Sequence, residues 1–216
     1  MPTRFDSLVT RLSPSVPGCP QPVIEQYVRD SAIDACEKTL AYRHIQNKIP
    51  LTNGVYDYPY DPPTNTEVHA FLSATVDGAR MRTLSLEEFQ DRFPKWPDSA
   101  PADYGVPTHI SQLDADTFIV GPTPDAAKTY EIRMIIAVKP LRTSVEMDTT
   151  AFDELENIIM HGALQNLLIL PERTWSDREL AAYHAKQFLH KTAERRARAN
   201  LGAARNSLRV KPVAFG

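Results

Sequence analysis

Three stretches of this chain carry an apolar stripe at helical spacing, and none of them can bury that stripe alone. In the first, Ile24, Val28, Ala32, Cys36 and Leu40 recur every four residues, with Tyr27 and Ala35 beside them. Pro22 stands where a first helical turn tolerates proline. Pro50 and Asn53-Gly54 close the stretch, so the spacing predicts a helix over about 22–47. In the second, Phe152, Leu155, Ile159, Ala163 and Leu167 mark one face, widened by Ile158 and Leu168. That face predicts a helix over about 150–170, ended by Pro171. The third opens with Ser176-Asp177-Arg178-Glu179. This spells a capping box, in which serine and glutamate satisfy each other's exposed amides, and Trp175 and Leu180 would form the accompanying hydrophobic staple. Its expected buried side is Leu180, Ala181, His184, Ala185, Phe188, Leu189 and Thr192; the apolar spacing thins beyond Ala193 and Gly202 is a break. Isolated helices draw most of their stability from tertiary packing, so elements from the two ends of the chain must meet.

Between those ends the period changes to that of strands. Val55 to Tyr58 reads as a short strand ended by Pro59 and Pro62-Pro63. Glu67 to Val76 and Ala79 to Leu84 flank Asp77-Gly78, a strong hairpin signal because a type I′ turn needs positive φ at both central positions. Ser85-Leu86-Glu87-Glu88 is another capping box, predicting a short helix to about Arg92. Thr108 to Leu113 and Thr117 to Val120 read as a hairpin around Asp114-Ala115-Asp116. Tyr130 to Val138 is the clearest strand, with Ile132, Met134, Ile136 and Val138 on one face and Pro140 as its end. The 18 prolines fall between elements and act as punctuation. The expected fold class is α+β: a helical bundle of three main helices with an inserted antiparallel β lobe and an extended C-terminal tail. The divisions are an N-terminal arm at 1–21, read as extended, a discontinuous helical core at 22–49 and 148–200, the lobe at 50–147, and a docking tail at 201–216.

The chemistry-bearing residues form no specific catalytic pattern. The chain has no P-loop, no Gly-x-Gly-x-x-Gly, no Gly-x-Ser-x-Gly and no His-Glu-x-x-His. Asp153, Asn157 and His161 run four apart along one helix face and could be metal ligands, but a solvated or interfacial polar face explains them better. His184 and His190 diverge by about 120° on a helix and cannot chelate one ion unaided; a satisfied core or interface histidine is the better reading of His184. Glu87, Glu88 and Asp91 could do acid/base work, yet capping and a helix's first turn already account for acidic residues there. Tyr56, Tyr58 and Tyr60 could stack on bases, although tyrosine is common in strands. Trp96 and Trp175 read as packing residues. Cys19 and Cys36 match no zinc spacing and read as buried free thiols in a reducing compartment. No membrane-spanning run and no signal pattern is present, and no cofactor, metal or enzymatic activity is expected.

Charge is distributed unevenly. From Ser176 onward nine Lys/Arg face only Asp177, Glu179 and Glu194, a surplus of six; the chain totals −3, so the preceding 175 residues carry −9. Such asymmetry suggests a docking segment with a charge preference. Arg195, Arg196, Arg198, Arg205, Arg209 and Lys211 are interleaved with or followed by Leu208, Val210, Val213 and Phe215. Those apolar anchors favour a protein groove with acidic walls. A solvated helix and a phosphate-binding, salt-sensitive nucleic-acid contact are the alternatives.

Three segments together resemble the phage head-to-tail adaptor proteins, the ring subunits also called tail tubular protein A in short-tailed phages. They are Ala35 to Arg43; the stretch through Asp77-Gly78, Leu84 to Phe89, Trp96, Gly105-Val106-Pro107 and Val120 to Asp125; and Gly162-Ala163-Leu164 through Leu170-Pro171, Trp175-Ser176-Asp177 and Leu180 to His184. The likeness covers most of residues 20–200 and includes no catalytic motif; the Ser/Pro-rich start departs from it. It implies a helical bundle with a β lobe in a cyclic ring, commonly a dodecamer, in the neck of a virion. It further implies a portal protein on one side, a tail tube or nozzle protein on the other, and double-stranded DNA passing through without specific binding. Assembly would start from protein in the host cytoplasm. The region that reaches the portal in the family matches Arg195 to Phe215, and the lobe would face the tail.

Overall fold

The computed structural model describes residues 2–201, and over that span the chain is α+β. Its helices are α1 (Asp6–Leu12), α2 (Gln21–Thr39), α3 (Leu86–Arg92), α4 (Thr149–Leu168) and α5 (Arg178–Leu201). The stripes read from the sequence on α2 and α4 are buried over Ile24, Val28, Ala32 and Cys36, and over Phe152, Leu155, Ile159, Ala163 and Leu167. Helix α4 packs against α2 and α5, and α2 touches α5. They meet closely at Gly162, where an added Cβ would stand 3.0 Å from both Phe188 Cε2 of α5 and Ser31 Cβ of α2. A side chain there would force two helices outward in a close-packed interior.

The strands form three sheets. β1 (Pro2–Arg4) pairs with β11 (Glu146–Asp148). The largest sheet is built around β10 (Tyr130–Pro140). Along one edge of β10 runs β5 (Thr66–Val76), continued by β6 (Ala79–Arg80); along the other lie β2 (Arg43–Ile45) and β3 (Ile49–Leu51). The third sheet has the order β4 (Asp57–Pro59), β9 (Thr117–Gly121), β8 (His109–Gln112), β7 (Arg82–Thr83). The Asp77-Gly78 turn has φ of 47° and 85°, as the hairpin signal predicts. The Asp114 hairpin and the Ser85–Glu88 capping box also form as read. The inserted strands are not purely antiparallel: β7 runs parallel to β8, where the chain leaves the β10 sheet at buried Met81 and crosses to the third sheet.

Three local readings are corrected. Helix α2 ends at Thr39, well before the expected residue 47. Leu40 turns left-handed at φ 52°, its N–H closing on the Cys36 carbonyl at 3.0 Å, and Thr39 Oγ1 donates to the Ala35 carbonyl at 2.6 Å. The freed residues then satisfy one edge of β10, with Ile45 opposite Ile135 and Ile49 opposite Ile132. Buried strand edges cannot stay unpaired, so the sheet wins over helix continuation. The N-terminal stretch is not extended either: Phe5, Leu8, Val9, Leu12 and Val16 are buried, and α1 packs on α2 and α4. Their spacing is itself helical. Finally, Asp177, not Ser176, caps α5: Leu180 N donates to Asp177 Oδ1 at 2.9 Å. Ser176 Oγ donates to the Leu168 carbonyl at 3.2 Å, satisfying the end of α4.

Candidate docking surface

Helix α5 buries Ala181, Phe188 and Thr192, spaced seven and four residues apart and so on one face. Leu180 and Leu189, expected on that side, fall to its flanks and are 39% and 64% exposed. Lys38 of α2 lies 4.7 Å from the centroid of the Phe188 ring.

Toward the C-terminal end of α5 the arginines have distinct surroundings. Arg195 crosses to α4 in an ion pair with Glu154, and its Nε is buried without a hydrogen-bond partner among the described residues. Burial, then the neighbouring Arg198 and Arg43, lowers its pKa from the ordinary guanidinium value; arginine remains charged at any physiological pH. Arg198 pairs with Glu194 one turn back, and Arg196 is exposed. Arg43 ties the end of α2 to the end of α5, donating through Nε to the Leu40 carbonyl at 3.1 Å and through Nη2 to the Ala199 carbonyl at 2.7 Å. A cation suits the exposed carbonyls of a helix C-terminus. Beside this junction is a cleft of about 550 Å³ whose lining includes Tyr42, Arg43, Glu146, Asp148 and Glu154. Arg205, Arg209, Lys211, Val213 and Phe215 lie outside the described residues. Sequence reasoning singled out Arg195 but missed its partner, and gave Arg43, quoted only as the end of a family-like segment, no contact role. Both contacts join residues far apart in the chain, and no local pattern announces them.

His161 and His184 face each other across α4 and α5, Nδ1 to Nδ1 at 2.8 Å with ring centroids 5.0 Å apart. His161 is buried and its pKa lies below the usual imidazole range, through burial first and then the charges of His184 and Lys191; burial alone lowers that of His184. Asp153 and Asn157 are exposed and do not join the pair. Among the described residues no group of three or more His, Cys, Asp or Glu is arranged to hold a metal ion.

The tyrosines read as a possible base-stacking platform are used internally. Tyr58 stacks on Phe118 at 5.7 Å and Tyr60 tilts on it at 5.2 Å, while Tyr56 meets Trp96 edge-on. Burial pushes the Tyr58 phenol up to about 12, and its hydroxyl donates to the Val55 carbonyl at 2.8 Å. Trp175 packs against the core. No described helix is long and apolar enough to cross a membrane.

No curated protein is similar enough to this chain to carry an argument. A family model described as SU10 adaptor protein matches residues 3–211, nearly the whole length, including the helices, the sheets and most of the basic end. That match agrees with the head-to-tail adaptor resemblance of the sequence, and the chain belongs to the SU10 adaptor protein family.

Proposed function

We propose that this protein is a structural head-to-tail adaptor of a bacteriophage virion. It is one subunit of a closed ring, a dodecamer on the family resemblance, that links the portal to the tail and lets double-stranded DNA pass. The observation that carries this reading is the family match over residues 3–211. The site chemistry supports it. The tyrosines pack internally, the two histidines bond to each other, and Arg195 and Arg43 brace α5 instead of converging on a reacting centre. In this reading α2, α4 and α5 act as a three-helix bundle that carries the basic C-terminal end toward the portal. The β sheets face the tail tube or nozzle protein. The working place is the virion neck, after assembly from host cytoplasm, and no enzymatic step or cofactor is invoked. Apart from its basic end the chain is acidic, which limits adhesion to DNA moving through a channel because like charges repel.

Portal docking is assigned to Arg196 and Arg198 on α5, to Arg205, Arg209 and Lys211 as cations against an acidic surface, and to Val213 and Phe215 as apolar anchors. Arg195 contributes by holding α5 in place through Glu154. Deleting residues 203–216 is expected to abolish capture of purified portal rings while leaving the circular-dichroism melt unchanged. Undiminished portal affinity in the truncated protein overturns the docking assignment. A nucleic-acid-binding role for the same basic end predicts instead tight duplex binding that falls steeply with salt. Electron microscopy of the protein mixed with its portal reads the ring directly.

A further inference from the structure

We propose that the His161–His184 contact is a proton-operated clasp, holding α5 on α4 while the pair carries at most one extra proton and releasing it when both imidazoles are charged. The geometry fixes the proton count. At 2.8 Å one Nδ1 must donate and the other must accept. In the neutral pair one ring is the Nδ1–H tautomer and the other bears its proton on Nε2. A first added proton goes to the free Nε2 of the donor ring, leaving the hydrogen bond intact and making it charge-assisted. The second has only the accepting Nδ1 left to bind. It removes the acceptor and leaves two cations side by side with centroids 5.0 Å apart.

The surroundings do not neutralise that doubly charged state. From α5, Lys191 adds positive charge to His161, and Tyr183 meets His184 edge-on at 5.2 Å. From α2, Lys38 lies over the Phe188 ring of α5 and pairs with Asp34. Glu154 of α4 and Glu194 of α5 are engaged by Arg195 and Arg198 further along the helices. Both imidazole pKa values are lowered in the folded chain. The stability the pair contributes is therefore full above the unfolded histidine value of about 6.5 and is lost as pH falls through the lowered folded values. The consequence for portal docking rests on the reading above, because α5 leads into the basic end. The clasp itself is read on the isolated protein, so its failure leaves that assignment standing.

The test is hydrogen exchange of the full chain, followed by mass spectrometry over residues 178–192 and corrected for intrinsic rates, between about pH 7.5 and pH 5. Wild type is expected to lose protection in this segment by about tenfold or more on acidification. His184→Gln, whose amide can still bond to His161 but never charges, should keep its protection. His190→Gln, altered at an exposed position on the same helix, should follow wild type. Flat protection in wild type, or an equal fall in wild type and His184→Gln, overturns the clasp. Should His184→Gln not fold, the imidazole C2–H resonances of wild type decide: two separated titration steps support it, and independent titration of both rings near about 6.5 overturns it.

Discussion

Gly121 shows how much a single position can decide. A Cβ there would stand 2.5 Å and 2.8 Å from Phe93 Cε2 and Cδ2 and 2.9 Å from Phe89 Cζ. Both rings would have to shift, although Phe89 is fully buried and half-buried Phe93 packs edge-on against His109 at 5.4 Å. Gly121→Ala should therefore destabilise the protein by about 1–3 kcal/mol, the usual range for overpacking, measurable as a lower urea midpoint. The two cysteines make a second test. Cys36 is buried and its thiol is pushed up to about 12, first by desolvation and then by Glu37. Cys19 is partly exposed, and Arg173 offsets part of the upward push that burial gives it. Since the thiolate is the reactive form, a maleimide at neutral pH should add once to the native chain, at Cys19, and twice in denaturant, as counted by intact mass. The sequence reading treated both thiols alike because burial depth is a tertiary property.

Among the elements, α5 gives the clearest contrast between local signal and folded outcome. Ser176 to Glu179 spells a capping box, yet the cap is Asp177. The sequence placed the helix start correctly, because both Ser176 and Asp177 favour that boundary. It could not see that the Leu168 carbonyl, brought in by α4, takes the Ser176 hydroxyl. Asp177→Ala should cost about 1 kcal/mol, as an N-cap loss does, whereas Glu179→Ala should be close to neutral; thermal melts of the two variants distinguish the arrangements. The same logic explains the end of α2. The stripes through Ile24 to Cys36 and Phe152 to Leu167, and the alternation Ile132, Met134, Ile136, Val138, were legible because period alone reports a buried face. The stop at Thr39 was not, since it is set by β10, some ninety residues away, needing partners along its second edge. In the candidate docking surface, composition revealed the basic end. The contacts Arg195–Glu154, Arg43–Ala199 and His161–His184 span two helices or a helix and a strand, and spacing within one element carries no trace of them.

At the scale of the whole molecule, residues of the helices and of the sheets share one core, and the N-terminal segment belongs to it. The first residues are built in. β1 pairs with β11 immediately before α4, Thr3 Oγ1 bonds Thr149 Oγ1 at 2.8 Å, and Arg11 pairs with Glu156. Phe5 sits 6.4 Å from the Phe152 ring, and Leu8, Val9, Leu12 and Val16 close the side of α2 and α4 that would otherwise meet water. Each fully buried side chain of this kind is worth about 1.5–3 kcal/mol. Five of them are comparable to the entire margin of about 5–15 kcal/mol that holds a domain together. A chain lacking residues 1–17 is therefore expected to lose its cooperative melt, or to melt at least 10 °C or so lower, with new dye-accessible apolar surface. The chain lacking residues 203–216 is expected to melt as wild type does. If the N-terminal deletion melted unchanged, the first seventeen residues would be an appendage after all and the core would have to close through α2, α4 and α5 alone. The pair of deletions thus separates the segment that completes the fold from the one assigned to contact, a division that composition by itself placed only at the C-terminal end.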